Sequence, residues 1–277
     1  MIDLDQQNQV SMRYLGLAHK NKGRKMGQAN VKDKCKHCAL YEDSKLFCAQ
    51  LNSDEQTDLS NQSRTLSMKR GDTLGSEALS HWPIIAIDSG VLSMQHLLQD
   101  GRKTIAALFM RGDIIDLRNI SNRNRGALIS LGKVKVCRLS PKVFEQVMAH
   151  NPDAQKVIWE NLRDQAFRAM DHSGDIAKKQ ALEKVASFVF ECRNRQVGYG
   201  EGDLVKIPVR RVDLAEYLGM QPETVSRCFK DLEKRGILEA PSLNALKLLN
   251  VPMLRRIANG DKDTLAFESR IKILKIA

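Results

Sequence analysis

Between Leu51 and about Leu139, apolar residues come in short runs broken by glycine. The stretches "MKRGDTL", "IIAIDSGVLSMQHLL", "QDGRKTIAALFMRGDII" and "GALISLGKVKVCRL" each read as a strand or strand pair turned around a glycine. Gly71, Gly90, Gly101, Gly112 and Gly132 fall at strand ends, where a positive φ is useful. Strands at this spacing predict an antiparallel roll or barrel. Beyond Leu139 glycine nearly vanishes and the apolar period lengthens. "SPKVFEQVMAHNP" predicts a short helix that stops near Asn151-Pro152. "DAQKVIWENLRDQAFRAMD" predicts one long helix with Val157, Ile158, Leu162, Ala166 and Ala169 along one side. Gln165 and Arg168 interrupt that stripe, and Asp164 and Asp171 bring charge near it. Such a helix suits packing within the chain or pairing with a second copy. "ALEKVASFVFECRNR" predicts a further helix that opens the C-terminal part.

The densest local pattern is "VDLAEYLGMQPETVSRCFKDLEKRGILE". Val212, Leu214, Ala215 and Leu218 predict the apolar face of a short helix, and Gly219 supplies the tight corner after it. Ala215 is small where a second helix would cross, and Pro222 fits that helix's first turn. On the second helix Val225, Phe229 and Leu232 point inward. Glu223, Ser226 and Arg227, at i, i+3 and i+4, form one exposed cluster. These side chains can read base edges: arginine at guanine, a carboxylate at cytosine N4, a hydroxyl at several groups. "GILEAPSLNALKLL" predicts a β-hairpin wing.

The chain has 277 residues and a formal charge of +11, with the basic excess spread along its length. That balance is compatible with a polyanionic partner and equally with simple solubility. No stretch approaches the roughly 18 apolar residues of a membrane span, and the polar first thirty or so residues lack the apolar centre of a signal peptide. The expected location is therefore the cytoplasm, where six cysteines do not imply a disulfide framework. Three of the six lie in "KCKHCALYEDSKLFCAQ": a C-x2-C pair, Cys35 and Cys38, then Cys48 after nine residues. Clustered thiols in a reducing compartment point to a metal or to redox chemistry. A helical gap from Cys38 to Cys48 would separate the sulfurs by about 15 Å, so the segment must fold back, with Glu42-Asp43-Ser44 as a turn. His37, between two ligands, is expected to be solvated or to support them.

From about Cys35 to Asn259 these features together resemble the Crp/Fnr superfamily of bacterial transcription regulators. The resemblance implies an α+β chain: an N-terminal antiparallel β-roll of the cyclic-nucleotide-binding jelly-roll kind, a long central dimerisation helix and a C-terminal winged helix-turn-helix. The expected boundaries are a mobile basic extension over 1–34, the cysteine-bearing sensor roll over 35–150, the dimerisation helix over 151–175, the DNA-binding domain over 176–260 and a tail over 261–277. Glu223, Ser226 and Arg227 match the E-x-x-S-R pattern of the Fnr and FixK branch, which implies TTGAT half-sites in an inverted repeat, read by a homodimer. RNA polymerase would be a partner and transcriptional activation an expected role.

The resemblance also implies a signal. Cyclic-AMP receptors carry an arginine where this chain has Pro222, and a ribose-binding glutamate where it has Leu117. The stretch "NRNRGAL" has no Arg-Ser pair in register, and Arg123 and Arg125, which could imitate a phosphate site, are expected to be solvated, so no cyclic AMP is expected. Oxygen-sensing Fnr proteins hold a [4Fe–4S] cluster with three cysteines ahead of the roll and a fourth inside it, which here implies Cys35, Cys38, Cys48 and Cys137. Zinc on the same four thiols is the alternative. The gap before Cys48 is longer than in the best-known Fnr proteins, which bears on cluster stability. Cys192 and Cys228 are expected to pack in helices. Nitric oxide or thiol oxidation are other signals such a regulator could sense. A metal-dependent, cupin-like enzyme is the competing class. It finds no clustered His/Glu motif, since His81 and His96 are isolated, so no enzyme is expected.

Overall fold

The computed structural model describes residues 35, 38–74, 82–97, 100–118, 126–196, 204–242 and 244–261. The expected N-terminal extension and tail, and with them His37, His81, Arg123 and Arg125, lie outside the described residues. The chain is α+β and forms two compact units, Met1–Phe167 and Arg168–Ala277.

The first unit begins with α1 (Ala39–Glu42), a 3-10 turn (Phe47–Gln50) and α2 (Ser53–Asn61). Asn52 caps α2 in a full capping box with Glu55. Among the described residues seven strands follow: β1 (Ser63–Met68), β2 (Ile84–Ser89), β3 (Val91–Leu97), β4 (Lys103–Met110), β5 (Ile114–Asp116), β6 (Gly126–Ser130) and β7 (Val134–Leu139). They make two antiparallel sheets, ordered β1-β7-β2-β5 and β4-β3-β6, as the glycine-broken pattern predicts. Gly71, Gly90, Gly101 and Gly112 do adopt positive φ; Gly132 does not.

The four-stranded sheet is covered on both faces. Ile85 and Ile87 of β2 and Val134 and Val136 of β7 point into the roll, where they meet Leu92 and Leu128. The alternate residues Ile84, Ala86 and Leu139 point outward, beneath Leu40, Phe47, Val143, Phe144 and Ile158. This outer layer consists of the cysteine-bearing segment, α3 (Pro141–His150) and the start of α4 (Pro152–Lys178).

The side of α4 that faces the roll differs from the expected stripe. Ala154 and Ile158 are buried, but Leu162 is 40% exposed and Ala166 and Ala169 are exposed. Polar side chains take the inner side instead. Asn161 Oδ1 accepts from the Ile114 N–H (3.0 Å), and Asn161 Nδ2 donates to the Gly112 carbonyl (3.1 Å). Gln165 Nε2 donates to the Ile114 carbonyl at 2.9 Å. The reason is that β5 is an edge strand, whose free backbone groups need partners more than they need apolar cover. The interruption at Gln165 is thus the packing side, and the large apolar residues Trp159, Phe167 and Met170 lie exposed elsewhere on the helix.

The second unit contains the end of α4, α5 (Ala181–Gln196), β8 (Leu204–Lys206), α6 (Arg211–Leu218), α7 (Pro222–Lys234), β9 (Leu238–Ser242), β10 (Ala245–Leu248) and α8 (Val251–Ala258). The expected hairpin wing is β9–β10, to which β8 adds a third antiparallel strand. His172 of α4 stacks on Tyr217 of α6, with ring centroids 3.9 Å apart and planes at 2°. Tyr217 in turn meets Phe188 edge-on.

Two outcomes follow from this packing. Asn161→Ala leaves the Ile114 N–H and the Gly112 carbonyl without their side-chain partner, and should cost about 1–3 kcal/mol in urea unfolding. His172 is partly buried, and desolvation holds its pKa below the usual histidine value, with Asp175 opposing. A folded-state value below the unfolded one adds stability above the unfolded pKa and loses it as pH falls through the folded pKa. The melting temperature should therefore drop below about pH 6.5 in the native protein, and drop less steeply in His172→Phe.

Candidate thiol site and DNA-reading helix

The fold-back needed to reach Cys48 is present and has a local cause. The Cys38 N–H donates to the Cys35 carbonyl (3.1 Å), closing the C-x2-C turn. One helical turn follows, capped at Cys38. The chain then reverses at Asp43, whose Oδ1 accepts from the Lys45 N–H (3.1 Å) and whose carbonyl accepts from the Leu46 N–H (2.9 Å). Cys48 follows in the 3-10 turn. Leu46 packs over Gly112, whose left-handed backbone (φ 87°) is what favours glycine there.

Cys137 comes from the middle of the sheet, opposite Thr65 of β1 and Ala86 of β2. Strand alternation points it outward with Leu139, into the same layer as Cys38 and Cys48. All four predicted ligands are free thiols, and Cys35, Cys38 and Cys137 each act electrostatically on Cys48. Burial is the main reason that the Cys48 thiol is held well above its ordinary pKa, with neighbouring thiols adding to it. Burial likewise pushes Cys137 up to about 12, against a hydrogen bond from Ser63. Metal binding at these thiols must therefore displace protons. Among the described residues, no three His, Cys, Asp or Glu side chains lie close enough to hold a single metal ion. Cys192 and Cys228 are buried in α5 and α7, as expected of packing residues.

Two further groups at this site escaped the sequence reading. Asp88, at the end of β2, is buried, with Oδ1 3.9 Å from Cys38 Sγ. Lys135 of β7 pairs with its other oxygen at 2.8 Å. Asp88 lies at the register shift between Ile87 and Ser89, where Ser89 is the residue opposite Lys135, so the irregularity as well as the strand's alternation sets its place.

In the second unit, Gly219 closes α6 in the left-handed region (φ 63°), and its N–H donates to the Ala215 carbonyl. Pro222 opens α7, and Val225, Cys228, Phe229 and Leu232 bury its inner face. Val212 departs from expectation. It is 51% exposed, because Asp213, Leu214, Ala215, Tyr217 and Leu218 fill the inward side of α6. Arg211 instead turns inward over the Phe229 ring at 3.2 Å, and burial pulls its pKa down to about 10. Glu223 and Arg227 are exposed, as predicted. Ser226 is half-buried and its hydroxyl donates to the Pro222 carbonyl at 3.0 Å, which leaves it an acceptor toward a ligand. Lys230 and Lys234 continue the exposed row from Glu223 and Arg227 at helical spacing.

A β-roll, a long helix and a winged helix-turn-helix with a charged outer row define a DNA-binding transcription regulator. Residues 183–257 match the Crp-like helix-turn-helix domain. The chain is 30% identical over 205 residues to the nitrogen fixation regulation protein FixK of Bradyrhizobium diazoefficiens, covering 74% of this chain and 85% of that one. It is 26% identical to the fumarate and nitrate reduction regulatory protein of Shigella dysenteriae, over 74% of this chain and 82% of that one. The solved structure of FixK2 from Bradyrhizobium japonicum superposes with a TM-score of 0.59 at 25% identity, covering 70% of this chain and 96% of that one. The chain belongs to the Crp/Fnr family of transcription regulators, in its FixK/Fnr branch. It is a regulator and not an enzyme. Among the described residues, no helix is long and apolar enough to cross a membrane.

Proposed function

We propose that this protein is a cytoplasmic, oxygen- or redox-responsive regulator whose Cys35, Cys38, Cys48 and Cys137 hold a [4Fe–4S] cluster. The observation that carries the reading is that Cys38, Cys48 and Cys137 pack into one layer on the outer face of the roll, with Cys35 joined to Cys38 by the closed C-x2-C turn. Zinc on the same four thiols is the alternative; the [4Fe–4S] cluster is the reading the pattern of the Fnr branch favours. Bound there, it would supply an oxidation-sensitive centre.

The chain's own residues divide the remaining work. Cys137 is fixed by the sheet, whereas the segment bearing the other three is held by packing and a few hydrogen bonds. DNA would be read by α7 in the major groove: Arg227 against guanine O6 and N7, Glu223 against cytosine N4, and Ser226 as an acceptor. Lys230 and Lys234 would neutralise phosphates. Two heads are needed for an inverted repeat of TTGAT half-sites, and the exposed Trp159, Leu162 and Phe167 support α4 as the homodimer seam. Activation together with RNA polymerase is the role proposed on the family's pattern.

Serine at Cys35, Cys38, Cys48 or Cys137 should each abolish the visible absorbance of anaerobically reconstituted protein, while Cys192→Ser and Cys228→Ser should retain it. A colourless protein holding one zinc per chain would overturn the cluster reading. On DNA, Arg227→Ala should cost about 1–3 kcal/mol on a TTGAT half-site and relax selection at its guanine. Lys230→Ala should weaken binding evenly across sequences and lower the salt dependence by about one counterion. An unbiased selection of bound DNA that returned no such repeat would refute the assignment.

A further inference from the structure

We propose that Asp88 holds down the reduction potential of the centre bound by Cys38 and Cys137, and that Lys135 partly offsets it. This rests on the iron–sulfur reading above. The Asp88 side chain is only 9% exposed, yet it carries a carboxylate into the thiol layer. One oxygen lies 3.9 Å from Cys38 Sγ; the other is 2.8 Å from Lys135 Nζ. While Cys38 keeps its proton, that first contact is a hydrogen bond donated by the thiol. Once the sulfur is a ligand and has lost the proton, the same contact sets two negative groups side by side.

The pair does not cancel itself. Lys135 is 49% exposed and water screens its charge, while Asp88 is buried, where a charge acts at greater strength. The net field at the sulfurs is therefore negative. Adding one electron to the centre adds negative charge, so Asp88 opposes reduction and Lys135 favours it. Asparagine at 88 removes the charge and can donate an N–H to the sulfur, which favours the reduced form twice over. Methionine at 135 keeps the apolar stem and removes the cation.

The test uses full-length protein reconstituted anaerobically with ferrous iron and sulfide, titrated with dithionite and followed by absorbance and electron paramagnetic resonance. One electron enters per cluster. Asp88→Asn should raise the midpoint by at least a tenfold change in the equilibrium, about 59 mV for one electron, and Lys135→Met should lower it. A side chain that merely holds the fold would not move the two variants in opposite directions. Equal or same-sign shifts would overturn the inference and leave the cluster standing. If Asp88→Asn holds no cluster, Lys135→Met decides alone, and an unmoved or raised midpoint there overturns it. Wild-type protein that takes up no iron and sulfide overturns both readings.

Discussion

In a pleated strand, neighbouring side chains leave on opposite faces, and β2 and β7 have something to bury on both. Isoleucine and valine on one parity fill the roll. The other parity brings Ile84, Ala86, Asp88, Lys135, Cys137 and Leu139 to the outer face. A slip of one residue in the β7 register would send Cys137 into the apolar interior and Val136 out to the cysteine segment. The thiol site therefore depends on that register, which pairing on both sides secures, to β1 and to β2.

The same outer layer links the thiols to the long helix. Arg111 Nη2 donates to the carbonyl of Ala39, the residue after Cys38, at 2.6 Å. The next residues of that turn, Gly112 and Ile114, are bonded by Asn161 and Gln165 of α4. At the other end of the segment, Asn151 donates to the carbonyl of Gln50, two residues beyond Cys48 (3.0 Å), and its Oδ1 accepts from the Ala154 N–H at the start of α4. Both ends of the cysteine segment are thus tied to the helix by directional bonds. A change in how the thiols are held has a short physical route to the residues that would meet a second copy.

Much of this was legible in the sequence because the signals were local. The glycine-broken strands, the Gly219 corner, Pro222 at the head of the reading helix and the inward row of Val225, Phe229 and Leu232 all obey rules that act within a few residues. What was missed depends on tertiary partners. Gln165 looked like a flaw in an apolar stripe because the open edge of β5, far away in sequence, cannot be seen from the helix. Val212 looked buried until Arg211 took the inward place over Phe229. Asp88 gave no motif, and the strand's alternation together with the register shift beside it brings it to the thiols.

The proposed function has a direct consequence for assembly: the state of the four thiols would govern pairing along α4. In the proposed dimer, exposed charge at Asp164 and Asp171 and small residues at Ala166 and Ala169 would make a seam that a few kcal/mol can tip. Native mass spectrometry of anaerobically purified protein, repeated on the same sample after exposure to air, tests this most directly. The account predicts a dimer with one four-iron, four-sulfide mass per chain before exposure, and a shift toward cluster-free monomer afterwards. A dimer unchanged by the loss of that mass would contradict it.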